Sequence, residues 1–190
     1  TKAFTCQLSV LASLAISAGV QRGHIDRDRE IQLTRDLAEA PRFANEVLKL
    51  ENEISQISHS LANKQHVLYL GRDTNFPLAL EGALKLKELS YIHAEGYAAG
   101  ELKHGPIALV DEEMPIVVIA PHDSIYEKTV SNMQEVAARG GQIILITDAK
   151  GAAECGLDSA RKIILPDMPE IITPIVYALP IQMLAYHTAV

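Results

Sequence analysis

The stretch His66-Val67-Leu68-Tyr69-Leu70-Gly71, followed by Arg72-Asp73-Thr74-Asn75-Phe76-Pro77, decides the fold. Its first five residues form a short apolar run closed by glycine, the pattern of a strand buried on both faces. Asp73, Thr74 and Asn75 are helix-capping residue types, and Pro77 suits a first helical turn. The helix they begin is predicted to run to about Tyr91. Downstream, residues 92–96 read as a short extended piece. Pro115 to Ala120, Gln142 to Thr147 and Lys162 to Leu165 repeat the buried-strand pattern. Between the first two of these, residues 124–139 read as a helix with Ile125, Val130, Met133, Val136 and Ala137 inward, ended by Gly140-Gly141. Glu170 to Val190 reads as an apolar helix kinked at Pro180. Short buried strands alternating with helices predict an α/β fold: a parallel sheet of about five strands with helices on both faces, preceded by helices. Ligands of such sheets sit outside the carboxyl ends of the strands. The loops after Leu70, around His104 and after Ala120 are expected to open there.

Upstream of His66 the pattern is helical. The opening TKAFTCQLSVLASLAISAG carries Thr5, Ser9, Ser13 and Ser17 at every fourth position, a hydroxyl stripe on an otherwise apolar helix. That periodicity predicts a buried amphipathic helix, too short to span a bilayer, rather than a signal peptide. A charged segment follows, with Ile31, Leu33 and Leu37 as its apolar positions. From Pro41, the steps of three and four through Phe43, Val47, Leu50, Ile54, Ile57 and Leu61 predict one helix of about five turns, with Glu46, Lys49, Glu51 and Glu53 outside. The chain begins at Thr1 and stops at Val190 inside an apolar run, so both ends read as cut, and a piece of a larger polypeptide is expected.

At 190 residues the chain fits a single domain, and 48% hydrophobic with 22% charged residues is an ordinary globular composition. The net charge of −7 is spread along the chain with no basic stripe, which disfavours nucleic-acid binding and makes any anion site a local one. Cys6 and Cys155 match no metal-ligand spacing and suit a reducing, cytoplasmic setting. Neither a dinucleotide-binding nor a nucleoside-triphosphate glycine loop occurs. His93 with Glu95 lacks a third ligand at useful spacing, so no metal and no cofactor are expected. His59, His66, His122 and His187 are assigned to surface or packing roles, and His24 to a loop without a partner.

Ionisable residues concentrate in Ala79-Leu80-Glu81-Gly82-Ala83-Leu84-Lys85-Leu86-Lys87-Glu88-Leu89. On a helix Glu81, Lys85 and Glu88 step by four and three and share one face. The plain reading is a solvated ion pair worth a few tenths of a kcal/mol. The remaining residues are nearly all apolar, so the helix is expected to be largely buried. Glu101 and Lys103-His104-Gly105-Pro106 then supply a second cluster beside a turn.

The run GRDTNFPLALEGALKLKELSYIHAEGYAAGELKHGPIAL resembles, almost without a gap, the matching stretch of the glutamine–fructose-6-phosphate aminotransferase (isomerising) family. TKAFTCQL, ARGGQ and PIQMLAYHTA are similar to it as well, so the resemblance covers essentially the whole chain. That family has a glutaminase domain and two sugar-isomerase (SIS) subdomains. The resemblance implies linking helices over 1–63 and the second, three-layer SIS subdomain over 64–190, without the carboxyl-terminal tail. It implies a role in making glucosamine 6-phosphate from fructose 6-phosphate and glutamine, in amino-sugar biosynthesis. Glu88 corresponds to the base that moves a proton between C1 and C2 of the open-chain sugar. Lys85 corresponds to a lysine at the reacting end, and His104 to the ring-opening histidine, reaching the site from the other subunit of a homodimer. Glu81 would orient Lys85, and Thr1 is placed with it in support of the substrate site. The family's Schiff-base lysine tail and its serine- and threonine-rich phosphate loop have no counterpart here. The turn from Gly71 to Asn75 offers one hydroxyl and an aspartate. The piece alone is therefore expected to bind fructose 6-phosphate poorly and to be inactive, and Cys6 is not the glutaminase nucleophile. A sugar-phosphate-sensing SIS domain and an SIS deglycase or isomerase stay open as alternatives.

Overall fold

The computed structural model describes residues 2–190. Four helices come first: α1 (Lys2–Gln21), α2 (Arg27–Ala38), α3 (Ala40–Leu48) and α4 (Glu51–Ser58). The α/β part follows as β1 (His66–Gly71), α5 (Phe76–Ser90), β2 (His93–Ala98), β3 (Pro115–Ile119), α6 (Tyr126–Ala137), β4 (Gln142–Asp148), α7 (Ala149–Glu154), β5 (Arg161–Leu165) and α8 (Thr173–Ala189). The strands form one five-stranded sheet in the order β2-β1-β3-β4-β5, and every pairing is parallel. The order reverses between β1 and β3, which makes their carboxyl ends the topological switch point.

Burial explains the three layers. Tyr69, Val117, Ile144 and Ile163 project to one face, where α3, α4, α5 and α8 cover them. Leu70, Val118 and Leu145 project to the other, beneath residues of α6 and the segment around Leu102. The runs of β1, β3 and β4 are buried on both sides, whereas β5, at the sheet edge, leaves Ile164 43% exposed. Each fully buried Leu or Ile among them contributes about 1.5–3 kcal/mol.

Several expectations need correction. The predicted helix from Pro41 to Leu61 is two helices. At the break Lys49 N–H donates to Glu46 O and Leu50 N–H to Val47 O, so one tight turn of three-residue bonds replaces the α pattern. The chain keeps its course through that turn, and Phe43, Val47, Ile54, Ile57 and Leu61 still enter one core. Asp73, Thr74 and Asn75 form a 3-10 turn, and Asn75 makes no side-chain cap bond to α5. The carboxyl-terminal helix begins as a 3-10 turn over Glu170–Ile172 and becomes α-helical at Thr173, with Pro180 inside it.

The opening helix is the largest departure. Phe4 and Leu8 touch the core and Ile16 is buried, but Val10, Leu11 and Leu14 are 66%, 59% and 62% exposed. It is not a buried helix in this chain. The hydroxyl stripe bonds backward along the helix instead of into a core: Ser9 Oγ donates to Thr5 O and Ser13 Oγ to Ser9 O, both at 2.9 Å. Nor is it too short for a membrane. Ala3–Gln21 is long and apolar enough to cross one by length and composition.

The helix α5 lies close against the sheet. A Cβ on Gly82 would stand 2.6 Å from both Tyr69 Cε1 and Ile181 Cγ2, and one on Gly96 would stand 2.8 Å from the backbone of Ala79 and Leu80. A side chain can rotate away but the α5 backbone cannot. Gly96→Ala is therefore expected to cost about 1–3 kcal/mol, read as a lower midpoint in urea unfolding with an unchanged slope. An unchanged midpoint would show that α5 can back away from β2.

Candidate functional site

Between the parallel strands β1 and β2, α5 runs against the strand direction, so its second half approaches the amino edge of the sheet. Leu78, Ala79, Gly82, Ala83 and Leu86 face inward. The helix is not largely buried as expected: Leu80, Leu84 and Leu89 are 47%, 43% and 45% exposed. Glu81, Lys85 and Glu88 do share its outward side. Lys85 Nζ lies 2.6 Å from Glu88 Oε2, with the lysine side chain 18% and the carboxylate 50% exposed. The hydrogen bond to Glu88 holds the ammonium above the ordinary lysine range, and the charge of Glu81 adds to this. The orienting partner is thus Glu88, while Glu81 acts at longer range. Nor is Glu88 enclosed by its own helix, because half of its side chain meets solvent.

His104 ends a short 3-10 helix over Ala99–His104 that follows β2. Its Nδ1 lies 2.8 Å from Glu101 Oε2, and both side chains are mostly exposed. Neighbouring Lys103 pairs with Glu135 of α6 at 2.9 Å. Ala99 and Leu102 anchor this segment in the core on the α6 side, whereas Leu78 and Leu86 anchor α5 in the opposite core. Within one chain, then, the structure joins Lys85 to Glu88 and leaves His104 across the sheet from them. Thr1 lies outside the described residues.

His93 is 3.5 Å from Glu95 and bonds His66 at 3.2 Å through the Nδ1 atoms. His122 reaches Glu154 at 2.9 Å, and His187 reaches Glu51 at 3.4 Å. Among the described residues no group of three His, Cys, Asp or Glu stands close enough to hold a metal ion.

Residue-by-residue reading missed a cleft at the carboxyl edge. Thr74 and Asn75 after β1, Asp123 and Ser124 after β3, and Asp167 after β5 line it, with Tyr177 of α8. None of Glu81, Lys85, Glu88 or His104 lines it. Two signals pointed there: the expected opening of the loops after Leu70 and Ala120, and an aspartate in the turn from Gly71 to Asn75. The contributions of Asp123, Asp167 and Tyr177 arise only when three distant segments meet. Burial holds the Asp123 carboxyl above its ordinary range, and the charges of Glu170 and Asp73 add to this.

The SIS domain family model matches residues 60–190. The chain is 73% identical over its whole length to a glutamine–fructose-6-phosphate aminotransferase [isomerizing] of Mesorhizobium japonicum, and 70% identical to that of Brucella abortus. It spans 31% of the length of each of these relatives. Among solved structures, it is similar to the C-terminal domain of glucosamine-fructose-6-phosphate aminotransferase from Francisella tularensis. The TM-score is 0.97 at 43% identity, over all of this chain and 53% of that one.

A carboxyl whose folded pKa is raised holds its proton in the folded state at a pH where the unfolded chain has released it. Stability therefore falls as pH rises through that window. Asp123→Asn keeps an acceptor for the Ile125 N–H and removes the charge. It should raise the melting temperature near neutral pH, with the gain shrinking in acid; a lower melting temperature at neutral pH would contradict this.

Proposed function

The chain belongs to the SIS domain family, and from that premise we propose that it supplies the proton-transfer base of a glutamine–fructose-6-phosphate aminotransferase (isomerising). The observation that carries the reading is the Lys85–Glu88 pair at 2.6 Å on the outward side of α5. An aldose–ketose interconversion needs a base that takes a proton from carbon next to a C=O or C=N. It must return that proton to the adjacent carbon. Glu88, half exposed and held on a rigid helix, can approach such a carbon from one side. Lys85 stays cationic beside it and can stabilise negative charge developing on the neighbouring oxygen. Glu81 sustains the lysine charge without occupying its hydrogen-bonding position.

The intact protein would act on fructose 6-phosphate and glutamine and release glucosamine 6-phosphate, a step of amino-sugar biosynthesis. The names and whole-chain identity of the relatives support this. Residues 1–63 would link the second SIS subdomain, 64–190, to the rest of such a protein. The exposed Leu80 and Leu84 beside the Glu81–Glu88 row support a site completed by further protein, since an open apolar flank excludes no water by itself. His104 would open the sugar ring from the partner subunit of a homodimer, a role supported by its position across the sheet from Glu88. The free thiols, Cys6 exposed and Cys155 buried, support work in the cytoplasm.

In a protein carrying this chain at the full length of its relatives, Glu88→Gln should lower glucosamine 6-phosphate formation about a hundredfold or more. Glutamine hydrolysis should persist. Normal product formation by that variant would remove Glu88 from the role. Mixing separately inactive Glu88→Gln and His104→Ala proteins should restore part of the activity once subunits exchange. No recovery despite proven exchange would rule out a shared site.

A further inference from the structure

The carboxyl-edge cleft encloses about 210 Å³ at the switch point of the sheet, where this topology ordinarily receives a ligand. That volume, below the roughly 300 Å³ at which sites for drug-sized molecules begin, suits an occupant about the size of a single sugar ring. Four carboxylates line it, those of Asp123, Asp148, Asp167 and Glu170, and no lysine or arginine does. Asp148 is already engaged by the His122 and Gly151 N–H groups, at 2.6 and 2.9 Å. Asp123 is held by Ile125 N–H at 2.9 Å. Asp167 and Glu170 have no ion-pair partner among the described residues.

Acidic groups alone would describe only a polar rim. Two buried side chains say more. Asn75 is 3% exposed and lines the cleft, and its Oδ1 has no hydrogen-bond partner while its Nδ2 turns toward Asp123. Tyr177 is 1% exposed, lines the same cleft, and makes no hydrogen bond through its hydroxyl among the described residues. The Asn75 Oδ1 atom is itself sealed from solvent, whereas the unpaired Tyr177 hydroxyl is not, so a ligand that pairs with that hydroxyl is favoured. The hydroxyls of Thr74, Ser124, Thr173 and Tyr177 serve as donor or acceptor, so the carboxylates set the sign of the charge that the cleft takes. An anion such as a phosphate ester is repelled. The carboxylates are not clustered tightly enough for a metal ion.

We propose that this cleft binds a small hydroxylated ammonium compound, of the size and chemistry of an unphosphorylated 2-amino sugar. The ammonium sits against Asp167 and Glu170, and a ligand hydroxyl pairs with Tyr177. This assignment does not depend on the role of Glu88, which lies on a different part of the fold. The elevated proton affinity of the Asp123 carboxyl is consistent with a field that a cation would relieve.

The test is an amide-resonance titration of the protein with glucosamine, glucose and ethylamine in parallel, near neutral pH. Glucosamine should give saturable shifts at Thr74, Ser124 and Thr173, about tenfold tighter than either control, since a charged hydrogen bond is lost with glucose and the hydroxyls with ethylamine. The double variant Asp167→Asn, Glu170→Gln should weaken glucosamine about tenfold. Tyr177→Phe, which keeps the ring in the core, should weaken it with no loss of melting temperature. Absence of saturable glucosamine binding, equal affinity for either control, or unchanged affinity in the double variant would each overturn the proposal.

Discussion

The close approach of α5 to the sheet is the constraint on which the arrangement depends. At Gly82 the helix touches Tyr69 of β1 and Ile181 of α8, and at Gly96 the strand β2 touches the α5 backbone. With no Cβ at either point, the helix sits too near to rotate freely. That fixes Leu78, Ala79, Ala83 and Leu86 as its inner face and turns Glu81, Lys85 and Glu88 outward together. Packing thus sets the direction in which the only direct ion pair of this row points. The same contact ties α8 to β1, and α8 in turn receives α3 and α4 into the common core.

Two ends of one sheet carry different chemistry. The carboxyl edge, where parallel sheets ordinarily bind ligands, carries four carboxylates and two buried side chains with unpaired polar atoms. The row on α5 points away from the sheet instead, alongside exposed leucines. A phosphorylated substrate is therefore disfavoured at the cleft. The aspartate in the turn after β1 already indicated the first half of this contrast.

Much of the architecture was legible in the residues because short, β-branched apolar runs such as Ile116-Val117-Val118-Ile119, bounded by turn residues, favour strands buried on both faces. The five-stranded parallel sheet and its flanking helices follow directly from such runs. The break between α3 and α4 was not legible, since a single tight turn preserves the three- and four-residue steps on which the prediction rests. Exposure was harder still. Leu80 and Leu84 look like core residues by type, and only the inward lock at Gly82 shows that they lie outside. Lys85 and Glu88 could be placed on one face from spacing alone, but Asn75, Asp123 and Tyr177 meet only through the fold. Four-residue spacing favours Glu81 as the partner of Lys85, whereas the hydrogen bond goes to Glu88 and Glu81 acts through its charge.

In the proposed reaction the outward carboxylate of Glu88, and not the carboxyl-edge cleft, would meet the reacting carbons of the sugar. The most direct measurement is a crystal structure of a protein that carries this chain at the full length of its relatives, soaked with fructose 6-phosphate. Electron density for the open-chain sugar is expected beside α5, with Glu88 about 3–3.5 Å from C1 and C2. Density for the sugar phosphate in the cleft lined by Asp123 and Asp167, with Glu88 facing solvent, would contradict it.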